Sequence, residues 1–178
     1  MIPIPGIVIA VLTFPGVIAH EAAHLFFCRL FGLGVFEVRY FRLANPAGYV
    51  VHQQPTTFRA AFFVGIAPFL VNSLLCFLFC LPAVLPVVEL ELRDPLAYFF
   101  AWLGVSIGMH AFPSDQDLAN VWRLAGPAAR RREPLALLSY PLVALLRVAD
   151  FGRRFWLDYL WGLAIGIFGP LLLLRWLA

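Results

Sequence analysis

Three ionisable side chains fall inside a long apolar segment near the amino terminus. The segment extends from Ile4 to Phe31 and contains the five residues His20-Glu21-Ala22-Ala23-His24. A helix needs roughly 20 apolar residues to cross a bilayer, so we expect a first membrane span from about Pro5 to Phe31. Ionisable groups are costly at the centre of a bilayer and usually mark function when they occur there. The segment therefore predicts a functional site on a membrane helix.

The five residues have the form H-E-x-x-H, which is typical of a zinc site. On a helix, His20 and His24 are four residues apart and point from one face. This spacing suits two ligands of one tetrahedral zinc ion. Glu21 lies next to the first ligand, where it can act as a general base towards a metal-activated water. Short patterns of this kind also arise by chance, but three ionisable groups within one turn of a membrane helix favour a metal site.

Composition indicates a polytopic, all-α integral membrane protein with little mass outside the bilayer. The chain has 178 residues, of which 62% are hydrophobic and only 13% are charged, whereas about a quarter of an ordinary globular domain is charged. The net charge is +3, and no basic stripe interleaves with aromatic residues, so nucleic acid is excluded as a partner. The three cysteines lie in apolar stretches, where we expect them to be small buried side chains: Cys28, Cys76 and Cys80.

Further apolar segments predict more helices behind the first span, which Pro15 is expected to kink. We predict a second span that ends near Pro82 or Pro86, a third span, a fourth segment that is short for a span, and a last segment long enough to cross. These segments are Phe58–Val88, Pro95–Phe112, Pro134–Ala149 and Phe155–Leu177. Residues Val35–Gln53 partly alternate apolar and polar side chains around a turn signal, which predicts a β-hairpin. An open strand edge cannot face lipid, so the hairpin must lie at the surface or against protein.

Polar residues in and after the later spans are further candidates for the site. Pro68 removes a backbone donor from the second span and frees the carbonyl four residues back. Asn72 is the amide side chain of this span, and it either packs helices together or donates a hydrogen bond to a substrate. Ser114 and Asp117 have the S-x-x-D form of a helix N-terminal cap, at the end of the third span.

Arginine positions predict the orientation of the chain. One group flanks the hairpin and a second follows the third span: Arg29, Arg39, Arg42 and Arg59, then Arg123 and Arg130–Arg132. The positive-inside rule places both groups in the cytoplasm. The two histidines and the aspartates after the third span then fall towards the same, cytoplasmic side of the membrane. We therefore expect a multi-pass protein of a prokaryotic cell membrane whose site faces the cytoplasm.

The order of these motifs resembles the site-2 protease family of intramembrane zinc metalloproteases, in a compact form. That family has a three-helix core with H-E-x-x-H in the first helix, a small strand element, a Pro/Asn motif in the second helix and an aspartate at the end of the third. Here His20–His24, the hairpin, Pro68 with Asn72, and Asp115 with Asp117 follow one another in that order. The match covers about Pro5 to Leu118. We therefore expect a protease core in residues 1–126 and C-terminal membrane helices of unknown role in 127–178.

The resemblance implies a zinc endopeptidase that hydrolyses a peptide bond within or near the membrane, in a membrane protein or membrane-associated peptide. It implies that Glu21 is the general base and that Asn72 holds the substrate strand or the oxyanion. The family's usual asparagine-proline run ending in Leu-Asp-Gly is absent, and Phe-Pro-Ser-Asp-Gln-Asp-Leu stands in its place. Beside His20 and His24, the third zinc ligand is assigned to Asp117, whose position best resembles the family's aspartate; Asp115 and His110 stay open as alternatives.

Two other classes of protein are compatible with the motif. One is a metal-binding membrane protein without peptidase activity, such as a transporter or an inactive relative. Glu21 argues against this class, because a pure binding site needs no base beside its ligands. The other is a structural membrane protein in which H-E-x-x-H is accidental. The shared depth predicted for the histidines and the aspartates argues against that class.

Overall fold

A computed structural model describes residues 6–90, 93–152 and 155–177. The described chain is mostly helical, with one small antiparallel hairpin. The helices are α1 (Gly6–Leu12), α2 (Phe14–Leu30), α3 (Phe58–Val84), α4 (Pro95–Met109), α5 (Asp115–Arg130), α6 (Pro134–Gly152), α7 (Leu157–Leu163) and α8 (Gly169–Leu177). The strands are β1 (Val35–Arg39) and β2 (Tyr49–His52). The polytopic helical class predicted from composition is therefore consistent with the structure.

The first predicted span is broken rather than gently kinked. Its predicted start at Pro5 lies outside the described residues, and the helices α1 and α2 meet at Thr13 with a bend of 86°. Pro15 lies in the first turn of α2, where its missing N–H costs no helical hydrogen bond. If α1 continued without a break, Pro15 could not donate to the Val11 carbonyl and its ring would clash with that carbonyl, so α1 ends before it. Together α1 and α2 are long and apolar enough to form one bent span.

Helix α3 is the longest element and lies at the centre of the bundle. It begins at a cap in which the Thr57 side chain accepts from the Ala60 N–H at 3.3 Å. The α-helix ends at Val84, close to the predicted end, but a π-helical segment continues the helical path over Leu85–Glu89. Residues Phe58–Val87 are long enough to cross a membrane and contain an 18-residue stretch with a mean hydropathy of 2.3.

The third predicted span is shorter than the sequence suggested. We predicted Pro95–Phe112, whereas α4 has 15 residues and ends at Met109. At about 1.5 Å per residue it is roughly 22 Å long, less than the hydrocarbon core of about 30 Å. The chain leaves the helix at His110 because Pro113 and the cap at Ser114 start α5 in a new direction. By length and composition, α3 and the α7–α8 segment can cross a membrane, and the α1–α2 pair can be a third span.

Close helix packing explains the three cysteines. Cys76 and Cys80 are buried where α3 meets α4 and the C-terminal span. A Cβ atom added at Gly166 would lie 2.8 Å from the Cys80 Sγ atom, so a glycine is needed at this contact. Cys28 is also buried, at 0% exposure. The prediction of small buried side chains is confirmed, and small residues bring these helices together as in other membrane bundles.

The predicted hairpin is confirmed in Val35–Gln53. Strands β1 and β2 pair antiparallel, with Val38 opposite Val50 and an irregularity near Glu37. The Tyr49 hydroxyl donates to Glu37 Oε1 at 2.8 Å, and the Arg39 Nε atom donates to the same oxygen at 3.2 Å. These hydrogen bonds hold the pKa of the Glu37 carboxyl below its usual value. The hairpin packs against α2, the helix that carries H-E-x-x-H.

Candidate metal centre

Helices α2 and α5 bring two histidines and an aspartate together. The Nε2 atoms of His20 and His24 lie 3.2 Å apart, and Asp117 Oδ2 lies 3.4 Å from His24 Nε2. Among the described residues, these three side chains form a group that can hold a metal, with ligand atoms within 4.8 Å of one another. Two ligands bound to one tetrahedral zinc at about 2.0–2.1 Å lie roughly 3.4 Å apart. The spacing and the donor types both fit zinc.

Backbone carbonyls orient both histidine rings towards the same point. His20 Nδ1 lies 2.8 Å from the His110 carbonyl oxygen, and His24 Nδ1 lies 3.0 Å from the Val64 carbonyl oxygen. A carbonyl oxygen only accepts, so each Nδ1 atom carries the proton and donates it. Each neutral ring then presents the lone pair of its Nε2 atom. Zinc-binding histidines are commonly held in this way, with the second ring nitrogen bonded to a carbonyl or carboxylate.

Asp117 reaches the site through the cap of α5. The Ser114 N–H donates to Asp117 Oδ2 at 2.9 Å, and the Asp117 N–H donates to Ser114 Oγ at 3.2 Å. This reciprocal capping box is the one predicted from the sequence. The same carboxylate oxygen, Oδ2, faces His24. The position of Asp117 is therefore compatible with both capping of α5 and ligation of a metal.

The two alternative ligands occupy other positions in the structure. His110 closes α4, and its Nε2 atom lies 2.8 Å from Thr13 Oγ1. The Thr13 hydroxyl donates to the Ile9 carbonyl at 2.7 Å, so His110 Nε2 is the donor in their hydrogen bond. Asp115 is the first residue of α5, on the turn that Ser114 caps. The geometry thus brings Asp117 to the histidines, while the identity of the third ligand stays a prediction.

Three single alanine variants test that assignment. We expect Asp117→Ala to lose most of its bound zinc, because a carboxylate facing both histidines is removed. We expect Asp115→Ala and His110→Ala to keep the metal, because neither side chain belongs to the group of three. Metal content per purified protein is the measurement. Full zinc in Asp117→Ala, with loss in either of the other two variants, would move the assignment to that residue.

A cavity of about 660 Å³ opens onto these residues. Glu21 lines it beside the two histidines and Asp117, and it is only 7% exposed. The hairpin turn forms one wall from Ala44 to Val50, and Gly6, Ile7 and Ala10 of α1 form part of another. The cavity also has polar side chains at Gln116, Asn120 and His52. It therefore combines a glutamate carboxyl group, a group that can hold a metal and enough space for several residues of a peptide.

The hairpin turn contacts Glu21 directly through Gly48. A Cβ atom added at Gly48 would lie 2.7 Å from Glu21 Cγ, 2.9 Å from its Oε1 atom and 3.0 Å from the Tyr40 carbonyl oxygen. A larger residue would displace either the base or the strand. Sequence reasoning assigned Gly48 only to a turn, and it missed this contact because nothing in the local pattern relates residue 48 to residue 21.

Asn72 is fully buried beneath the site. Its amide nitrogen lies 3.0 Å from the His110 carbonyl oxygen and 3.3 Å from the carbonyl oxygens of Gly16 and Ile107. Its Oδ1 atom has no hydrogen-bond donor among the described residues. The sequence left open whether Asn72 packs helices or contacts a substrate. These contacts join α2, α3 and α4, as the packing role requires, and a direct contact with substrate stays a prediction.

Comparison with known proteins identifies a family for most of this region. The family model DUF3267, described as "putative zincin peptidase", matches residues 13–125. A search of curated proteins finds no significant match, and neither does a search of solved structures. The matched residues include H-E-x-x-H, the hairpin, Asn72 and Asp117, and they cover more than half of the chain. On this match, and in agreement with the arrangement of His20, Glu21, His24 and Asp117, the chain belongs to the "putative zincin peptidase" family of zinc metallopeptidases.

Proposed function

We propose that this protein is an intramembrane zinc endopeptidase of the site-2 protease type. It would hydrolyse a peptide bond, within or near the membrane, in a membrane protein or a membrane-associated peptide. Residues 1–126 would form the protease core, and 127–178 would add C-terminal membrane helices. The observation that carries the proposal is that the His20–His24–Asp117 group lies directly against α3, an apolar helix long enough to span a bilayer.

The depth of the group supports cleavage within the membrane. His24 is hydrogen-bonded to Val64, which lies six residues after the start of α3 at Phe58. At about 1.5 Å per residue this contact is roughly 9 Å along the helix, while the hydrocarbon core is about 30 Å thick. The group would therefore lie below one membrane surface, on the side of the hairpin. The cavity supplies a polar route by which water reaches that depth, since hydrocarbon holds none.

The residues of the cavity divide the chemistry of hydrolysis among them. His20, His24 and Asp117 would hold zinc, which when bound polarises the scissile carbonyl and lowers the pKa of a coordinated water towards about 7. Glu21 would take a proton from the attacking water and deliver it to the leaving nitrogen. The hairpin turn at Gly48 would limit solvent access to Glu21 on the side of the hairpin. A site that only binds metal needs no such base.

A comparison of membrane proteomes tests the proposed activity. Cells that carry wild-type protein or Glu21→Gln are compared by mass spectrometry of their membranes. We expect at least one membrane protein to appear cleaved with wild type and intact with Glu21→Gln. Glu37→Gln is the matched control, because Glu37 is an exposed glutamate of the hairpin. Identical membrane proteomes in all three strains would contradict the peptidase and favour a metal-binding protein without hydrolytic activity.

We propose that the hairpin and the Arg130–Arg132 stretch face the cytoplasm, as their arginines predict. Single cysteines at Ala44 and Arg131, both exposed, should then resist an impermeant thiol reagent in intact cells and react after permeabilisation. The native cysteines are at most 1% exposed, so the unsubstituted protein serves as the unlabelled control. Ready labelling of Ala44→Cys in intact cells would show that the hairpin faces the outside, opposite to the proposed orientation.

A further inference from the structure

We propose that Pro68 and Asn72 of α3 are positioning residues that set the zinc affinity of the site. Pro68 leaves the Val64 carbonyl free to accept from His24, and Asn72 holds in place the His110 carbonyl that accepts from His20. This inference rests on the proposed role of those histidines as zinc ligands. It gives a function to a proline and an asparagine that are neither in the group of three nor among the residues that line the cavity.

Pro68 acts because it has no backbone N–H and so leaves one helical carbonyl without its usual donor. Inside a helix, the N–H of residue 68 would donate to the carbonyl of Val64, four residues earlier, but proline has no N–H. The Val64 carbonyl instead accepts from His24 Nδ1 at 3.0 Å. Pro68 is buried in the middle of α3, which continues past it for 16 residues. Pro68 therefore leaves the Val64 carbonyl free at the level of the bundle where α2 places His24.

Asn72 acts on the other histidine by way of His110. The amide nitrogen of Asn72 and the Nδ1 atom of His20 both approach the His110 carbonyl oxygen, at 3.0 and 2.8 Å. His110 is the residue at which α4 ends, so its carbonyl is not committed to a further helical turn. Its ring is fixed separately by Thr13 at the break between α1 and α2. Three elements thus determine where the acceptor of His20 lies.

The orientation of the Asn72 amide is set by its surroundings. Three carbonyl oxygens lie within 3.3 Å of its nitrogen. The reversed amide would point Oδ1 at three other acceptors, which is repulsive, so nitrogen must face them. Oδ1 then has no donor among the described residues, and a buried oxygen without a partner is unfavourable. The position of Asn72 thus lets its nitrogen reach three carbonyl oxygens, at the cost of leaving its own Oδ1 atom without a donor among the described residues.

The hydrogen bonds at the two Nδ1 atoms determine where the Nε2 lone pairs point. The two hydrogen bonds determine the tautomer and the plane of each ring, and they hold the Nε2 atoms 3.2 Å apart. If either acceptor is lost or shifts, the ring turns and the pair no longer converges on one ion. Loss of such an outer partner typically weakens metal binding by about 10-fold to 100-fold.

Pro68→Ala tests the first half of the proposal. Alanine restores an N–H that competes with His24 for the Val64 carbonyl, and it is also the better helix former. We expect the zinc dissociation constant of purified protein, measured by competition with a chelator, to rise about 10-fold or more. We expect the unfolding temperature of the metal-free protein to stay the same or rise. The matched control is Pro82→Ala, the same change in the same helix but more than three turns from the site, and it should leave the zinc constant unchanged.

Asn72→Leu tests the second half, because leucine keeps the number and branching of the side-chain heavy atoms and removes all three hydrogen bonds. We expect zinc binding to weaken about 10-fold to 100-fold. Cys76→Ala, one turn further along α3 and also buried, is the control that should bind zinc like wild type. Asn72→Ala provides a second variant if leucine prevents folding.

Four outcomes would count against this inference. A lower unfolding temperature with an unchanged zinc constant in both Asn72 variants would make Asn72 a packing residue and overturn its positioning role. Unchanged zinc binding with lost cleavage would overturn it in favour of direct contact with substrate. An unchanged zinc constant in Pro68→Ala would refute the role of Pro68. Wild-type protein that binds no stoichiometric zinc would refute the proposed function itself, and with it this inference.

Discussion

We expect the replacement of Glu21 with glutamine to leave zinc bound and to slow cleavage by at least about 100-fold. Glutamine keeps the shape of the side chain, which fills the space between the cavity and Gly48, but it cannot accept the proton of the attacking water. General acid–base groups typically contribute a factor of about 10²–10⁴ to the rate, and we expect a loss in that range. Because Glu21 is not one of the three grouped ligands, metal content should match that of wild type.

Two measurements on the same preparation check this expectation: zinc per protein by elemental analysis, and cleavage of a membrane substrate found in the proteome comparison. Glu37→Gln serves again as the control and should cleave normally. A Glu21→Gln rate within a few-fold of wild type would contradict the role of general base. Loss of zinc in the same variant would show instead that Glu21 helps to hold the metal.

Replacing either His20 or His24 with alanine removes zinc and cleavage together. Each substitution deletes one ligand and leaves a group of two, and His24→Ala also leaves the Val64 carbonyl without its donor. A structural zinc site typically contributes about 10–16 kcal/mol of apparent binding free energy, so loss of one ligand leaves too little affinity to retain the ion during purification. We expect no more than trace zinc and no cleavage above that of Glu21→Gln.

His52→Ala is the control for these variants. His52 lines the same cavity but is not one of the grouped ligands, so it should keep its zinc. Full zinc in His20→Ala or His24→Ala would show that the metal binds elsewhere in the protein. Normal cleavage without zinc would refute the metallopeptidase mechanism altogether.

Features with a local signal were predictable from the sequence. The four-residue spacing of His20 and His24 determines their common face in any helix, and alternation around the turn signal at Asn45–Gly48 was enough to predict the hairpin. The cap at Ser114 could be predicted because its partner, Asp117, lies three residues away in the sequence. In each case the residues that interact are close in the chain, so the pattern itself contains the contact.

Features that depend on packing between distant segments were not predictable. The bend at Thr13 was expected only as a kink at Pro15, because its size depends on what α1 meets. The shortness of α4 follows from where α5 must begin, which apolar content does not reveal. Asn72 was left between two roles because its acceptors are 35 to 56 residues away in sequence. The freed carbonyl at Val64 was foreseen from Pro68, but its partner His24 was not.

The histidines take their orientation from two different helices, and this has a consequence for biosynthesis. His20 and His24 are made early, but the acceptor of His24 lies on α3, that of His20 follows α4, and Asp117 follows His24 by 93 residues. At a synthesis rate of about 5–20 residues per second, roughly 5–20 s separate the second histidine from the aspartate. A nascent chain therefore holds H-E-x-x-H without a competent site during that interval. With His20, His24 and Asp117 as the proposed ligands, the metal site is complete only once α2, α3, α4 and α5 have assembled, so an incomplete chain would lack the site that the proposed cleavage needs.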